Sequence, residues 1–334
     1  VSHPVPEQAL TGAVAVVANP VKRDIDRVRE SVVRRAHFAG LGDPLWFETT
    51  LDDIGAGVAR SAVESGASLV IVAGGDGTVR AAAGALRGTG VALGVVPSGT
   101  GNLLARNLRV PIGDPEAAVA VAFTGRTRAV DVGLAELERE GGEREEHPFM
   151  VVAGAGIDAA MIANTSPALK ERLGWLAYVD GALRSVARSQ PVRAKVRVDG
   201  PGDETMTHGF DVHTVLVGNV GALPGDVELL PGARIDDGVL DVAVMHPKSV
   251  FGWALIGRSI VWENHVLRRS ALGRKLISFR SRHSPHVLSY MRGPVVTARF
   301  ERPVEAELDG DEVGPVQAAR FRTDPQSLLV RVPA

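Results

Sequence analysis

SLVIVAGGDGTVRAAAGAL, residues 68–86, passes from a short apolar run through a glycine turn into an alanine-rich stretch. Leu69–Ala73 predicts a buried strand, and the residues from about Thr78 predict a helix. Between them, Gly74, Gly75, Asp76, Gly77 and Thr78 stand where backbone N–H groups and the helix dipole favour an anion. Glycine at 74, 75 and 77 lets the backbone approach a polyphosphate, and Asp76 can orient Mg2+ or a hydroxyl. A plain strand-to-helix turn would use the same glycines for geometry alone. The whole five-residue string in this setting favours the phosphate reading. No GxxxxGK[ST] string occurs, which excludes a P-loop.

The alternation of strand and helix continues on both sides. Gly12–Asn19 reads as a buried strand running into Asn19-Pro20, and 24–39 as a charged helix. Trp46–Thr49 suggests a strand, and 53–65 a helix with Ile54, Val58, Ala62 and Val63 on one side. Val91–Val96 is another apolar run, followed by a second glycine turn, Ser98-Gly99-Thr100-Gly101-Asn102, that again opens a helix. This spacing predicts a parallel sheet with helices on its faces. Two such turns at successive strand ends would face one crevice, where open α/β sheets bind ligands.

The pattern changes after Asp131. Residues 136–147, ELEREGGEREEH, read as an exposed hairpin or loop. Short β-like runs follow at Phe149–Ala153, Ala194–Val198, His213–Val217, Val239–Met245, Leu276–Arg280, Val295–Phe300 and Glu305–Leu308, with helical pattern at 158–188 and 248–270. A largely antiparallel second domain, sandwich or barrel, is expected. Leu328–Val332 is a strand free to return to either domain.

Composition narrows the chemistry. The 334 residues include 38 Gly, about 11% against the usual ~7%, and no Cys, which excludes disulfides, Cys-ligated metals and thiol catalysis. Against 39 acidic residues stand 37 basic ones, so the net charge of −2 gives no global field for nucleic acid. No apolar run approaches the ~20 residues of a spanning helix, and VSHPVPEQAL has no leader pattern, so a soluble cytoplasmic protein is the expectation. Residues 248–292 carry nine Lys and Arg against Glu263 alone, a local charge of +8, with Phe251, Trp253 and Trp262 interleaved. That suits an anionic bilayer and equally a core-packed amphipathic helix with a basic face.

Other strings carry less. GAGIDA, 154–159, matches a dinucleotide pattern but lacks the acidic residue about 20 positions later, so a tight turn beside the site is its expected use. His283 and His286 lie in a polar stretch with no further ligand and read as a solvated loop. Asp236-Asp237-Gly238 and Asp309-Gly310-Asp311-Glu312 are ordinary hairpin signals unless the fold brings Asp309 to the glycine turns.

Taken in order, NP at 19–20, GGDGTVR at 74–80, PSGTGNLLARNL at 97–108, DVG at 131–133, GAGID at 154–158, LLPGARIDDGVLDV at 229–242 and LDGDE at 308–312 resemble the diacylglycerol kinase catalytic-domain family, which includes bacterial lipid kinases and sphingosine kinases. The resemblance implies a Rossmann-like α/β nucleotide-binding domain over 1–131, a mainly antiparallel β-sandwich lipid-substrate domain over 132–320, and a tail, 321–334, returning to the first, with the site in the interdomain cleft. It implies ATP at Asn19, Pro20, Thr49, Gly74, Gly75, Asp76, Gly77, Thr78, Val79, Arg80, Ser98, Gly99, Thr100, Gly101 and Asn102. Asp309 would be the proton acceptor supported by Asp311, and Asp76 with Asp131 would form an Mg2+ network. A structural cation would sit at Asp237 and the carbonyls of Arg234 and Val239.

Two residues depart from the pattern: Arg80 stands where the family often has Asn, and Leu103 where many members have Asp. The implied reaction is phosphorylation of a lipid hydroxyl, diacylglycerol to phosphatidic acid, at the inner face of a membrane, with homodimerisation left open. An NAD kinase-like activity on a soluble nucleotide and an inactive nucleotide-binding regulator are the alternatives.

Overall fold

The computed structural model describes residues 12–22, 24–156, 190–200, 205–223, 227–228, 230, 232–247 and 288–334. The chain divides into two compact units, one comprising Val1–Val132, Ile235–Gly238 and Asp324–Ala334, the other Gly133–Arg234 and Val239–Thr323.

The first unit contains β1 (Ala13–Ala18), α1 (Ile25–Phe38), β2 (Leu45–Glu48), α2 (Ala56–Glu64), β3 (Ala67–Gly74), α3 (Asp76–Leu86), β4 (Ala92–Pro97), α4 (Leu103–Asn107) and α5 (Pro115–Thr124). Its strands lie in the order β2-β1-β3-β4, all parallel. Val14–Val17 and Leu69–Val72 are almost fully buried. Helices cover both faces of such a sheet, which is why these strands read as unbroken apolar runs.

Three details differ from the sequence reading. The buried residues of α2 are Ala59 and Ala62, while Ile54 lies before the helix and is 46% exposed. At Gly55 an added Cβ would stand 3.0 Å from the Thr78 carbonyl oxygen, so small residues are what this close approach of α2 to α3 accepts. Helix α3 begins at Asp76 because Gly75 is still extended, which puts the Asp76 carboxylate in the first turn. Helix α5 was not anticipated, although Asp114-Pro115-Glu116 is a start signal: Asp114 accepts the Ala117 N–H at 3.0 Å and Pro115 needs no acceptor.

The second unit is built from β5 (Arg126–Glu138), which leads out of the first, followed by β6 (Arg144–Phe149), β7 (Val152–Ala155), β8 (Val192–Asp199), β9 (Thr205–Val212), β10 (Thr214–Gly218), β11 (Ala222–Leu223), β12 (Val227–Glu228), β13 (Leu240–Met245), β14 (Leu288–Gly293), β15 (Val295–Leu308) and β16 (Asp311–Val332). The order β14-β13-β10-β7-β15 is antiparallel throughout, and β15 also pairs with β8 and β16. Alternate residues of β8 (Val192, Ala194, Val196, Val198) face a core with Val296, Ala298, Phe300 and Phe321. The charged 136–147 segment is a hairpin of β5 and β6.

The two runs expected at 295–300 and 305–308 are one strand whose register shifts between Arg299 and Val304, a stretch that contains Pro303, which has no N–H for the ladder. The 149–153 run is instead broken, since β6 ends at Phe149 and β7 starts at Val152. The end of β16 returns to the first unit, where Leu329 and Val330 pair with β4 in parallel. Arg331, 4% exposed, anchors it: Nε and Nη2 donate to the Ala122 and Phe123 carbonyls at the end of α5, and Nη1 to Thr127. A guanidinium there meets the negative end of the helix dipole. The expected features at 158–188, 248–270 and 276–280, and the His283–His286 pair, lie outside the described residues.

Candidate active site

Parallel strands in register end together. Ala18 stands opposite Glu48 in β2 and Ala73 in β3, and Gly74 opposite Pro97 in β4. Asn19-Pro20, Thr49, Gly74–Thr78 and Ser98–Asn102 therefore emerge at one edge of the first unit. With strand order 2-1-3-4, the topological switch lies between β1 and β3, and Asn19 and Gly75 flank it. The Asn19 N–H donates to the Ala73 carbonyl and the Thr49 N–H to Ala18, which fixes the edge.

The two glycine turns are packed on each other. A Cβ on Gly99 would stand 2.9 Å from the Gly75 Cα, and one on Gly101 2.8 Å from Asp76 Oδ2. Asp76 ties them together: Oδ2 accepts the Asn102 N–H at 2.7 Å and Oδ1 the Leu103 N–H at 2.6 Å. Asn102, in the left-handed region at φ 49, closes its own loop by accepting from the Gly99 N–H and donating to the Gly99 carbonyl. Asp76 thus serves first as a cap at the start of α4. Val79 is 5% exposed and faces the core, so only its backbone is available to a ligand; Thr100 is exposed.

These residues fit a polyphosphate. The backbone-only approach of Gly75 and Gly99 is a cradle that a Cβ would fill, and the buried hydroxyl of Ser98, next to Gly99, has no hydrogen-bond partner among the described residues. Fit to a metal is narrower. Among the described residues no three acidic or His side chains gather, so any Mg2+ here would be held by one or two carboxylates together with phosphate oxygens.

Asp131 is fully buried, and its oxygens accept the N–H groups of Gln326 and Gly238, each at 2.7 Å, while its own N–H donates to Ile235. Burial pushes its carboxyl above the ordinary carboxylate range; the two N–H groups pull it down and the Asp237 and Asp236 charges add to the rise. Asp131 is accordingly a clamp on segments 235–238 and 324–326, assisted by the Arg128–Asp236 and Arg87–Asp324 pairs. In an Asp131→Asn protein an amide NH2 must face one of those N–H donors. The expected loss is about 1–3 kcal/mol, read as a lower urea midpoint. Of the cation residues, Arg234 and Asp237 are exposed and Val239 follows the anchored Gly238.

In the second unit Asp309-Gly310 forms a two-residue hairpin turn between Leu308 and Asp311, with φ 51 and 90. The hairpin reading of this Asp-Gly pair is correct, and Asp309 does more. At 4% exposure, its Oδ2 accepts the Met150 N–H at 2.7 Å and its Oδ1 those of Val151 and Val152 at 2.8 and 3.0 Å. Those three amides are what breaks the 149–153 run. Asp311 is exposed. Gly154 pairs with Leu216 and Glu307 in neighbouring strands, and Gly156, just past the end of β7, lies at φ 112.

Two family models cover nearly all of this. That of the diacylglycerol kinase catalytic domain matches residues 14–135, and that of the YegS C-terminal NAD kinase beta sandwich-like domain matches 150–332. The chain belongs to the diacylglycerol kinase catalytic-domain family. A relative described as "Probable lipid kinase YegS-like", from Stenotrophomonas maltophilia, is 29% identical over 318 residues, 92% of each chain. A diacylglycerol kinase of Mycobacterium tuberculosis is 30% identical over 189 residues, 57% of this chain and 58% of that one. The crystal structure of a diacylglycerol kinase from Bacillus anthracis superposes with TM-score 0.65 at 19% identity, covering 96% of this chain and 97% of that one, which shows the shared fold. The family is one of lipid kinases. No helix among the described residues is long and apolar enough to cross a membrane.

Two features escaped the sequence reading. Asp76 and Asp309 act as caps over long sequence separations, and no local pattern announces that.

Proposed function

We propose that the chain transfers the γ-phosphoryl group of ATP to a lipid hydroxyl, with diacylglycerol as acceptor and phosphatidic acid as product. The observation that carries this reading is the pair of glycine turns interlocked through Asp76 beside the switch point, where a polyphosphate can lie against the backbone at the start of α3. Phosphoryl transfer passes through a loose transition state, so fixed donors at the phosphate oxygens and positioning supply most of the acceleration. When bound, Mg2+ neutralises charge on the β- and γ-phosphates. Asp76 keeps the turns in contact, Ser98 offers its hydroxyl, and Asp309, supported by Asp311, receives the acceptor's proton.

A lipid surface is the proposed partner, with the basic 248–292 stretch as its contact and the cytoplasmic face of a membrane as the site of action. The family membership and the lipid-kinase descriptions of its relatives support this choice over a soluble nucleotide. The test incubates the full chain with labelled ATP and Mg2+ against diacylglycerol, a sphingoid base, phosphatidylglycerol and NAD separately. Label in phosphatidic acid is expected; label in NADP alone favours the NAD kinase reading, and ATP binding without turnover favours an inactive regulator.

A further inference from the structure

An edge strand leaves one row of backbone N–H and C=O groups without a ladder partner, and proteins blunt such edges with charge, proline, bulges or short length. Among the described residues of the large sheet, β2, β6, β9 and β14 are paired on one side alone. β2 is four residues long, β6 carries Arg144, Glu145, Glu146 and Pro148, and β14 carries Arg292, which pairs with Asp241 on β13. β9 has none of these devices. It runs for eight residues, TMTHGFDV, with no shift in its register with β8, and Asp211 near its end is its one carboxylate. Residues 205–209 are exposed, Met206 at 44%.

Register with β8 shows what this edge presents. Met206 lies opposite Val198, His208 opposite Val196 and Phe210 opposite Ala194, and those three β8 residues are in the core. Directly opposed side chains share a face, so Met206, His208 and Phe210 continue the core side of the sheet past its last covered strand. Phe210 is held in place: its ring stacks on His246 with centroids 5.1 Å apart and lies 5.9 Å from the His208 ring. On the other face Asp211 stands opposite Arg193, and the Thr205 hydroxyl donates to Asp199. Between them nothing lies within 4 Å of a Cβ built on Gly209, so that face is open as well.

The strand is also self-complementary about His208. Laid antiparallel on a copy of itself with a two-fold axis at that residue, it sets Met206 against Phe210, Thr207 against Gly209 and Thr205 against Asp211. Independently of the reaction catalysed, we propose that β9 is an interface for a second copy of this chain, paired antiparallel with its own β9 in this register. The β8–β9 sheet of one copy then runs into that of the other, and the open row of N–H and C=O groups is satisfied. Each exposed Met206 is covered by a fixed aromatic ring, a favourable sulfur contact. Asp211 faces an uncharged threonine, so no like carboxylates meet. An isologous contact of this kind closes on two copies. An unrelated extended peptide would satisfy the same backbone groups without needing the match between the two halves of the strand. One pair of such strands is by itself a small contact, below the ~1,200 Å² of standard interfaces, so the dimer forms and dissociates with concentration.

Sedimentation equilibrium of the full chain over a wide range of concentration tests this. The wild type is expected to pass from one chain per particle to two as concentration rises. His208→Lys and His208→Glu each set like charges against each other on the axis, at a position exposed in the single chain. Each variant alone should show a dimer dissociation constant raised roughly tenfold or more, with the urea midpoint of a dilute sample close to that of wild type. An equimolar mixture of the two variants should recover wild-type association, because opposite charges then face each other. A wild type with one chain per particle at every concentration overturns the proposal and leaves the edge to an extended segment of another protein. Wild-type association in either variant alone overturns it in favour of a different surface, and a mixture that does not recover overturns the register about His208.

Discussion

An Asp309→Ala protein loses about 3 kcal/mol or more of stability, because the change leaves the Met150, Val151 and Val152 N–H groups buried without an acceptor, each at a cost of about 1–3 kcal/mol. A domain whose whole stability is about 5–15 kcal/mol feels such a loss as a large fall in the urea midpoint. Asp309→Asn keeps one carbonyl oxygen and therefore falls between wild type and alanine. The comparison separates two roles. A carboxylate used only to accept a proton would leave the midpoint of Asp309→Asn unchanged and lower the rate. A carboxylate that shapes the turn lowers both, and an unchanged midpoint in Asp309→Ala would remove the cap from the account.

In Gly99→Ala the effect falls on nucleotide binding. The new methyl would stand 2.9 Å from the Gly75 Cα and 3.1 Å from Asn102 Oδ1, closer than carbon and oxygen atoms tolerate, and backbone on the Gly75 side cannot swing away. The two turns must separate by several tenths of an ångström, which misdirects the N–H groups that face a phosphate. An affinity for ATP at least tenfold weaker is expected by calorimetric titration, with the urea midpoint lowered by an overpacking cost of about 1–3 kcal/mol. Gly42→Ala is the control: nothing lies within 4 Å of a Cβ there, and its ATP affinity should equal that of wild type. Equal affinities in the two variants would mean that the glycine turns do not hold the nucleotide.

Much of the first unit was legible because parallel strands buried on both faces write themselves as apolar runs such as Leu69–Ala73, and a glycine turn at each strand end marks the edge where ligands bind. Less legible was anything set by residues far apart in sequence. The break at Met150–Val151 exists because Asp309, 159 residues after Met150, draws those amides out of the ladder. Asp76, legible as a ligand-facing carboxylate, spends its oxygens on amides 26 and 27 residues away. The buried side of α2 was legible only in part: Ala62 is buried as read, Val58 and Val63 are half-buried, Ile54 lies before the helix, and Ala59, which the apolar pattern passed over, completes the buried side.

In the proposed function the interlocked glycine turns present ATP to a lipid alcohol. A single competition measures it: the full chain receives γ-labelled ATP and Mg2+ together with vesicles containing diacylglycerol and an equal amount of NAD in solution, and label is counted in the organic and aqueous products. Label is expected in the organic phase, migrating as phosphatidic acid, and about tenfold lower in Gly99→Ala when ATP is below saturation. Label confined to NADP in the aqueous phase would contradict it.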